Sequence, residues 1–308
     1  MIPKEVLAAL RVIQIHTARL ANAHLQGSYT SSFRGQGLSF QEVRQYHPGD
    51  DVRSIDWNVS ARMNEPFVKV FTEEREMTVM LVVDCSPSLQ FGTVRAQKTH
   101  VACEVTALLA TSAITHGDRA GLVLGATETE HFVPPKRGQK HVMRLLREIL
   151  VRASAPRLAV PSFTGESHGL GAATNLRDLL QTLRRLAKRR TIAFVVSDFL
   201  ADDYAQTLSL AAAKHDIVPV VLEDPRDLEL PDVGLVDFED LESGELVTID
   251  TSSPAVRAHH RETMAKVARQ RDALFRRLGL DVAKVRTDGS VVHPLRELFA
   301  RRARRMHA

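Results

Sequence analysis

Residues 77–88 have the sequence MTVMLVVDCSPS, and this stretch decides the fold class. Its apolar part, residues 77–83, is typical of a strand that is covered on both faces of a parallel sheet. The apolar run ends at Asp84, and Ser86 and Ser88 follow almost at once. We therefore predict a buried strand whose carboxyl end leads into a turn rich in side-chain oxygen atoms.

The sequence on the C-terminal side of this run alternates between helix-like and strand-like patterns. Apolar residues recur at helical spacing over residues 94–109, 139–151 and 176–186, and runs typical of buried strands occupy residues 121–124, 192–196, 217–222 and 280–285. Strands that alternate with helices of this length indicate an α/β fold. The predicted architecture is a doubly wound, mainly parallel sheet with helices on both faces.

The remaining sequence adds smaller parts to this core. Residues 3–26 follow helical spacing, and residues 28–75 are rich in Gly, Ser, Pro and paired charges with short β-type stretches. We expect an N-terminal helix plus a small, mostly β module over residues 1–75, the α/β domain over 76–288, and a basic C-terminal helix or tail over 289–308. The pair Ser243-Gly244 predicts a β-hairpin insertion near residues 234–250.

The composition is that of an ordinary soluble protein, with 44% hydrophobic and 25% charged residues in a chain of 308. We find no secretory signal at the start and no apolar run of the length that spans a membrane. The two cysteines, Cys85 and Cys103, have no zinc-type spacing. We expect a cytoplasmic protein without a membrane span.

Oxygen-bearing side chains recur where the predicted strands end. Asp84, Ser86 and Ser88 form a D-x-S-x-S arrangement, Thr174 stands at the entrance to a predicted helix, and Asp198 follows the strand over 192–196. All of these positions belong to the carboxyl edge of the sheet, where ligands bind in open α/β folds. Oxygen ligands favour Mg²⁺, Mn²⁺ or Ca²⁺, and Mg²⁺ usually keeps several waters. An Asp or Glu of a partner protein could replace one of those waters.

This set of residues resembles the metal-ion-dependent adhesion site of von Willebrand factor type A domains, in which D-x-S-x-S is joined by a distant Thr and a distant Asp. The resemblance implies that Asp84, Ser86, Ser88, Thr174 and Asp198 are the metal ligands.

A longer resemblance begins before the first buried strand. Residues 35–37 (GQG), 42–57 (EVRQYHPGDDVRSIDW) and 60–62 (SAR), followed by Phe71, Glu74 and Glu76, are similar to the von Willebrand factor A-like family catalogued as domain of unknown function 58. With the adhesion-site residues, the similarity covers most of residues 27–220. It implies a metal-dependent protein–protein interaction module that acts with a MoxR-type AAA+ ATPase in chaperone-like assembly or maturation of a client complex. The client would offer an acidic residue to the metal.

Other functional classes have weaker support. No G-x-x-x-x-G-K-[ST] loop and no H-E-x-x-H motif occur, so we expect no catalytic residues. A metal-dependent phosphatase or nuclease that uses Asp84 and Asp198 is the enzymatic alternative. Residues 257–308 hold fourteen Lys and Arg against five Asp and Glu. This basic segment is either a solvated helix face or a nucleic-acid contact, although no recognition motif accompanies the charge.

The charged residues around the single tryptophan, Trp57, are open to two interpretations. Arg44, Arg53, Asp56 and Arg62 can form paired charges that fix the turns of the small module, or they can form a second interaction surface.

Overall fold

The structure is a computed structural model that describes residues 37–74, 77–93, 95–126, 129–153, 176–201, 203–239 and 246–307. These residues fall into two compact units, the first ending at Met77 and the second beginning at Thr78. The helix predicted over residues 3–26 and Thr174 lie outside the described residues, as does the turn at Ser243-Gly244. Residues 292–307, within the segment 289–308 predicted as a basic C-terminal helix or tail, belong to the second unit.

The first unit contains an antiparallel pair, β1 (Gly37–Gln45) and β2 (Phe67–Glu74), and a short helix, α1 (Trp57–Met63). Asp56 begins the helix, because its carboxylate accepts hydrogen bonds from the backbone N–H groups of Asn58 and Val59. Such a cap satisfies donors that have no partner within the helix. The sequence pattern predicted a mostly β module here but not this helix.

The described residues of the second unit form eight strands. They are β3 (Thr78–Asp84), β4 (Arg119–Ala126), β5 (Thr129–Lys136), β6 (Ile192–Ser197), β7 (Asp216–Glu223), β8 (Leu235–Glu239), β9 (Leu246–Asp250) and β10 (Ala283–Arg286). Six of them form one sheet in the order β10-β7-β6-β3-β4-β5. All neighbours in this sheet are parallel except β4 and β5, which are antiparallel. The predicted α/β fold class with a mainly parallel sheet is confirmed.

Seven helices complete the described part of this unit. They are α2 (Lys98–Thr115), α3 (Gln139–Ala153), α4 (Leu176–Leu186), α5 (Ala205–Lys214), α6 (Pro225–Leu228), α7 (Pro254–Arg277) and α8 (Val292–His307). Both faces of the sheet are covered. Ala193 and Val195 of β6 join a buried cluster with residues of α4, α5 and α7. Phe194, which lies between them and points to the opposite face, packs edge-on against Phe299 of α8 at 6.4 Å between ring centres.

The order of the strands reverses at one point in the sheet. From β3 the chain proceeds outward through β4 and β5, and then returns to add β6, β7 and β10 on the other side of β3. Ligands bind at such a reversal point, beyond the carboxyl ends of the strands. Here the reversal lies between β3 and β6, whose carboxyl ends carry Asp84 and Ser197. The fold therefore brings the two predicted carboxylates, Asp84 and Asp198, to one place.

The predicted hairpin near residues 234–250 is present as the antiparallel pair of β8 and β9. Within the described ranges, none of the helices combines the length and the apolar content that crossing a membrane requires.

Candidate functional site

The turn after β3 holds three of the predicted ligand residues in a compact arrangement. The backbone N–H of Ser86 donates to Oδ1 of Asp84 at 2.8 Å, and the hydroxyl oxygens of Ser86 and Ser88 lie 2.9 Å apart. A short 3₁₀ turn, Pro87–Gln90, follows directly and contains Ser88. Asp84 and Ser86 are buried, and Ser88 is half-buried. The turn thus gathers one carboxylate and two hydroxyl groups at the end of the strand.

Ser197, which the sequence analysis did not single out, connects this turn to the neighbouring strand. Its hydroxyl donates to Oδ2 of Asp84 at 2.8 Å and accepts a hydrogen bond from the backbone N–H of Phe199 at 3.0 Å. Asp198 lies between these two residues and is also buried. Ser197 therefore fixes the orientation of Asp84 and the start of the loop that carries Asp198.

The loop after β6 has an unusual backbone conformation. Phe199 has a φ angle of +55°, in the left-handed region that residues other than glycine rarely adopt. Its ring is buried and packs edge-on against Tyr204 at 5.6 Å and Phe275 at 5.1 Å. Strained backbone of this kind persists where the surrounding packing determines it, and it is common at functional sites. The packing of Phe199 consequently holds the adjacent Asp198 in place.

The electrostatics of the site favour a bound cation. Burial, together with the nearby charge of Asp198, raises the pKa of Asp84 to about 7. A second carboxylate close by makes the ionised state costly unless a positive charge compensates for it. Among the described residues, no group of three or more His, Cys, Asp and Glu side chains could hold a metal. A metal at this edge would therefore depend on hydroxyl oxygens as well as on the two carboxylates, and the residues present fit the Mg²⁺ class of ions.

Lys98 was missed by the sequence analysis, although it contacts this site. Its side chain is 1% exposed, and its ammonium group lies 3.2 Å from Asp198 Oδ2 and 2.8 Å from Asp227 Oδ2. The ring of Phe91 lies 5.8 Å from the same nitrogen. Burial opposes the charged form, but the two aspartates outweigh it and raise the pKa of Lys98. The available signal was its position three residues before Val101, on the apolar stripe of a helix.

Asp227 is held by the turn at the end of β7. Its carboxylate accepts a hydrogen bond from the backbone N–H of Asp224 at 2.9 Å, and Asp224 in turn caps α6. Burial raises the pKa of Asp227 in spite of the opposing effect of Lys98. The sequence signal for this turn was the capping pattern Asp224-Pro-Arg-Asp227, which places proline at the first helical position.

The structure thus brings together Asp84, Ser86, Ser88 and Asp198. The fifth predicted ligand, Thr174, lies outside the described residues. The assignment of these five residues to a metal stays a prediction.

Two charged residues of the first unit form ion pairs with partners that the sequence analysis did not name. Arg44 forms a two-point ion pair with Asp50, at 2.8 and 2.7 Å, and Asp56 pairs with Lys69 at 3.4 Å. Trp57 is 69% exposed. Two of the expected charges therefore fix turns through partners other than those the sequence suggested.

The basic C-terminal segment is partly neutralised within its own unit. Arg302 pairs with Asp216 and Asp281, and Arg305 pairs with Asp281 at 2.8 Å. These contacts account for part of the charge of α8 without a nucleic acid.

Comparison with known proteins places this arrangement in a family. The family described as "Protein of unknown function DUF58" matches residues 42–272, which include the turn after β3 and the loop after β6. This chain belongs to that family. A relative in Mycobacterium tuberculosis, called an uncharacterized protein, is 33% identical over 273 residues, which are 86% of this chain and 82% of the relative. The uncharacterized protein YeaD of Bacillus subtilis is 28% identical over 188 residues, which are 61% of this chain and 40% of that protein.

Two solved structures are also similar to this DUF58 protein. The VWA domain of SpRpn10 matches with a TM-score of 0.37 and 12% identity, over 73% of this chain and 94% of that domain. The pilus adhesin SpaC from Lactobacillus rhamnosus GG matches with a TM-score of 0.38 and 11% identity, over 75% of this chain and 30% of the adhesin. Both likenesses are low, and neither bears on function.

Proposed function

We propose that this DUF58 protein is a metal-dependent protein-interaction module. A divalent cation, Mg²⁺ or alternatively Mn²⁺ or Ca²⁺, binds to Asp84, Ser86, Ser88, Thr174 and Asp198. The observation that supports this proposal is the pair of buried, mutually repelling carboxylates beside two hydroxyl groups at the reversal point of the sheet. The bound ion supplies a Lewis-acidic position that an acidic side chain of another protein occupies.

The roles of the chain's own residues follow from their contacts. Ser197 and the backbone N–H of Ser86 each donate to one oxygen of Asp84, which leaves lone pairs on both oxygens for a cation. The packing of Phe199 holds Asp198, so the carboxylates are positioned before an ion binds. Preorganisation of this kind reduces the cost of binding.

The proposed partners are a MoxR-type AAA+ ATPase and a client protein that offers an acidic residue. The membership of the DUF58 family supports this proposal, because the resemblance that identifies the family also implies the association. The DUF58 protein and the ATPase would act together in the cytoplasm, in the assembly or maturation of the client.

Titration of Mn²⁺ into the full chain, measured by isothermal calorimetry, tests the metal site. We expect one ion per chain for the wild type and no measurable binding for Asp84→Asn, because that change removes the central charge. Asp250→Asn removes an exposed carboxylate at the end of β9 and is the matched control, for which we expect wild-type binding. If the wild type binds no Mn²⁺, or if Asp84→Asn binds it equally well, the proposed site is wrong.

We also expect no enzymatic turnover by this chain alone. The stretch from Gly92 to Thr99 ends in Lys-Thr but has Gln97 where a phosphate-binding loop needs glycine, and Lys98 is buried against two aspartates. One G-x-S-x-G string is present at residues 165–169, outside the described residues. Steady-state assays with ATP, a phosphate ester and a carboxylate ester should all give background rates. Turnover that Asp198→Ala or Ser167→Ala abolishes would place the protein in an enzyme class.

A further inference from the structure

Lys98 is a buried positive charge directly beside the candidate metal site. Its ammonium group contacts Asp198, one of the proposed ligands, and also Asp227, which is not one of them. Lys98 is 1% exposed, while the side chains of Asp198 and Asp227 are 4% and 15% exposed. Solvent and salt screen such buried charges much less than surface pairs. The charge of Lys98 is therefore only weakly screened from anything that binds at Asp198.

The charges of this cluster determine what can bind there. Asp84, Asp198 and Asp227 are three carboxylates and Lys98 is one ammonium group, which leaves two negative charges when all four are ionised. A divalent cation neutralises that remainder. A monovalent cation leaves a buried negative charge, which is costly.

We propose that Lys98 is the resident counter-cation of this edge of the sheet. Its ammonium group neutralises Asp198, is shared with Asp227, and sets the charge against which a divalent cation binds. The inference rests on the proposed metal site. It implies that Lys98 stabilises the buried carboxylates of Asp198 and Asp227 before a metal binds. It also implies that the metal must compete with Lys98 for Asp198.

If Lys98 competes with the metal for Asp198, substitutions of Lys98 and of Asp227 should change the affinity for Mn²⁺ in opposite directions. Lys98→Met keeps most of the length and apolar character of the side chain but removes the charge that repels the metal. Asp227→Asn keeps the shape of that side chain but removes a negative charge, so that Lys98 is left to act on Asp198 alone. A change of one unit charge at such distances alters proton affinity by about 1–3 pKa units, each equal to a factor of ten. We expect Lys98→Met to bind Mn²⁺ at least about tenfold more tightly than wild type and Asp227→Asn to bind it at least about tenfold more weakly.

Arg271→Met is the matched control, because Arg271 is another buried cation paired with two carboxylates, Glu223 and Asp272. It is expected to keep the wild-type affinity for Mn²⁺. If a structural role alone explained Lys98, both Lys98→Met and Asp227→Asn would weaken Mn²⁺ binding.

The experiment is calorimetric titration of Mn²⁺ into the full chain of wild type, Lys98→Met, Asp227→Asn and Arg271→Met. Tighter binding by Lys98→Met with weaker binding by Asp227→Asn supports the inference. If Lys98→Met does not fold in the absence of metal, Lys98→Gln takes its place, because it removes the charge but keeps hydrogen-bond donors for the two aspartates, and tighter binding than wild type supports the inference. Equal or weaker binding by folded Lys98→Met overturns it, as does unchanged binding by Asp227→Asn.

The same titration separates this inference from the proposed function. Binding by Lys98→Met with none by wild type would support Lys98 as the competing cation and would refute a metal-dependent function of the natural chain. If wild type binds Mn²⁺ and the Lys98 and Asp227 substitutions leave its affinity unchanged, the proposed metal site is supported and the role of Lys98 is refuted. The absence of binding in all four proteins would overturn both.

Discussion

Asp224→Ala is expected to destabilise the second unit by about 3–5 kcal/mol, a large effect for one substitution, because each buried donor left unsatisfied costs about 1–3 kcal/mol. Asp224 is fully buried and accepts four hydrogen bonds, from the backbone N–H and the hydroxyl of Thr93, the backbone N–H of Arg226 and the hydroxyl of Thr287. These donors belong to three separate segments that meet at this carboxylate. Alanine would leave all four donors without this acceptor.

Urea unfolding followed by circular dichroism at 222 nm measures the loss. At an ordinary dependence of stability on urea, we expect the midpoint to fall by about 1–2 M. Asp288→Ala is the control, because Asp288 forms its two-point ion pair with Arg286 at the surface and should matter far less. A loss for Asp224→Ala no larger than that for Asp288→Ala would show that this carboxylate does not join the segments.

The contribution of Asp224 also depends on pH. Burial alone would raise its pKa, but the hydrogen bonds from Thr287, Thr93 and Arg226 outweigh that effect and hold the pKa below its ordinary value. A carboxylate with a lowered pKa stabilises the folded state above its unfolded pKa, near 4, and this contribution disappears as the pH falls through the folded pKa. The difference between wild type and Asp224→Ala should therefore be full at pH 7 and shrink in acid.

The sequence predicted the central strands well because they are buried on both faces. β3 and β6 appear as continuous apolar runs, and every residue from Val79 to Asp84 is buried. The edge strand β5 was missed, because it contains Pro134 and Pro135 and alternates little. Proline is tolerated at a sheet edge, where one side of the strand needs no hydrogen-bonding partner.

The helix α5 was also missed. α5 has the sequence AQTLSLAAAK and buries only Thr207, Leu208 and Ala211. Its apolar stripe is thus too narrow to stand out by periodicity. The strand predicted over residues 280–285 is observed at Ala283–Arg286, three residues later at its start, and element ends are what sequence-based prediction places least accurately.

The candidate site was predictable where its residues are adjacent in sequence. The sequence alone predicts one turn that contains Asp84, Ser86 and Ser88. It also predicts the position of Asp198, which follows the end of a predicted strand. Ser197, Lys98 and Asp227 were not predicted, because each acts through a contact that only the folded chain creates. Nothing next to Lys98 in the sequence marks it, because its burial between two carboxylates comes from the packing of α2 beside β6 and the turn after β7.

The second large effect is expected on partner binding, from Ser86→Ala combined with Ser88→Ala. The two hydroxyl oxygens lie 2.9 Å apart and form a hydrogen bond with each other. Removing both hydroxyls therefore leaves no unpaired donor or acceptor from that bond. Asp84 loses a weaker interaction with the Ser86 hydroxyl but keeps its bonds from the backbone N–H of Ser86 and from Ser197. The fold should therefore persist while two proposed metal ligands are lost. Losing a charged contact at a partly desolvated interface costs about 2–5 kcal/mol, which is about 30- to 4,000-fold in affinity.

Thr248→Ala combined with Ser252→Ala is the matched control for this double variant. It also removes two hydroxyl groups, which bond to Asp237 and Asp250 at the β8–β9 hairpin. We expect wild-type affinity from it, which would separate the loss of metal ligands from the general loss of hydroxyl groups.

The measurement that tests the central claim most directly is the affinity of the full chain for the MoxR-type ATPase of the same organism, in Mg²⁺ and in EDTA. Surface plasmon resonance with wild type and the Ser86→Ala, Ser88→Ala double variant gives four dissociation constants. We predict tight binding only for wild type in Mg²⁺, with the other three weaker by about 30-fold or more. Four equal dissociation constants would contradict a metal-dependent docking face at the carboxyl edge of the sheet.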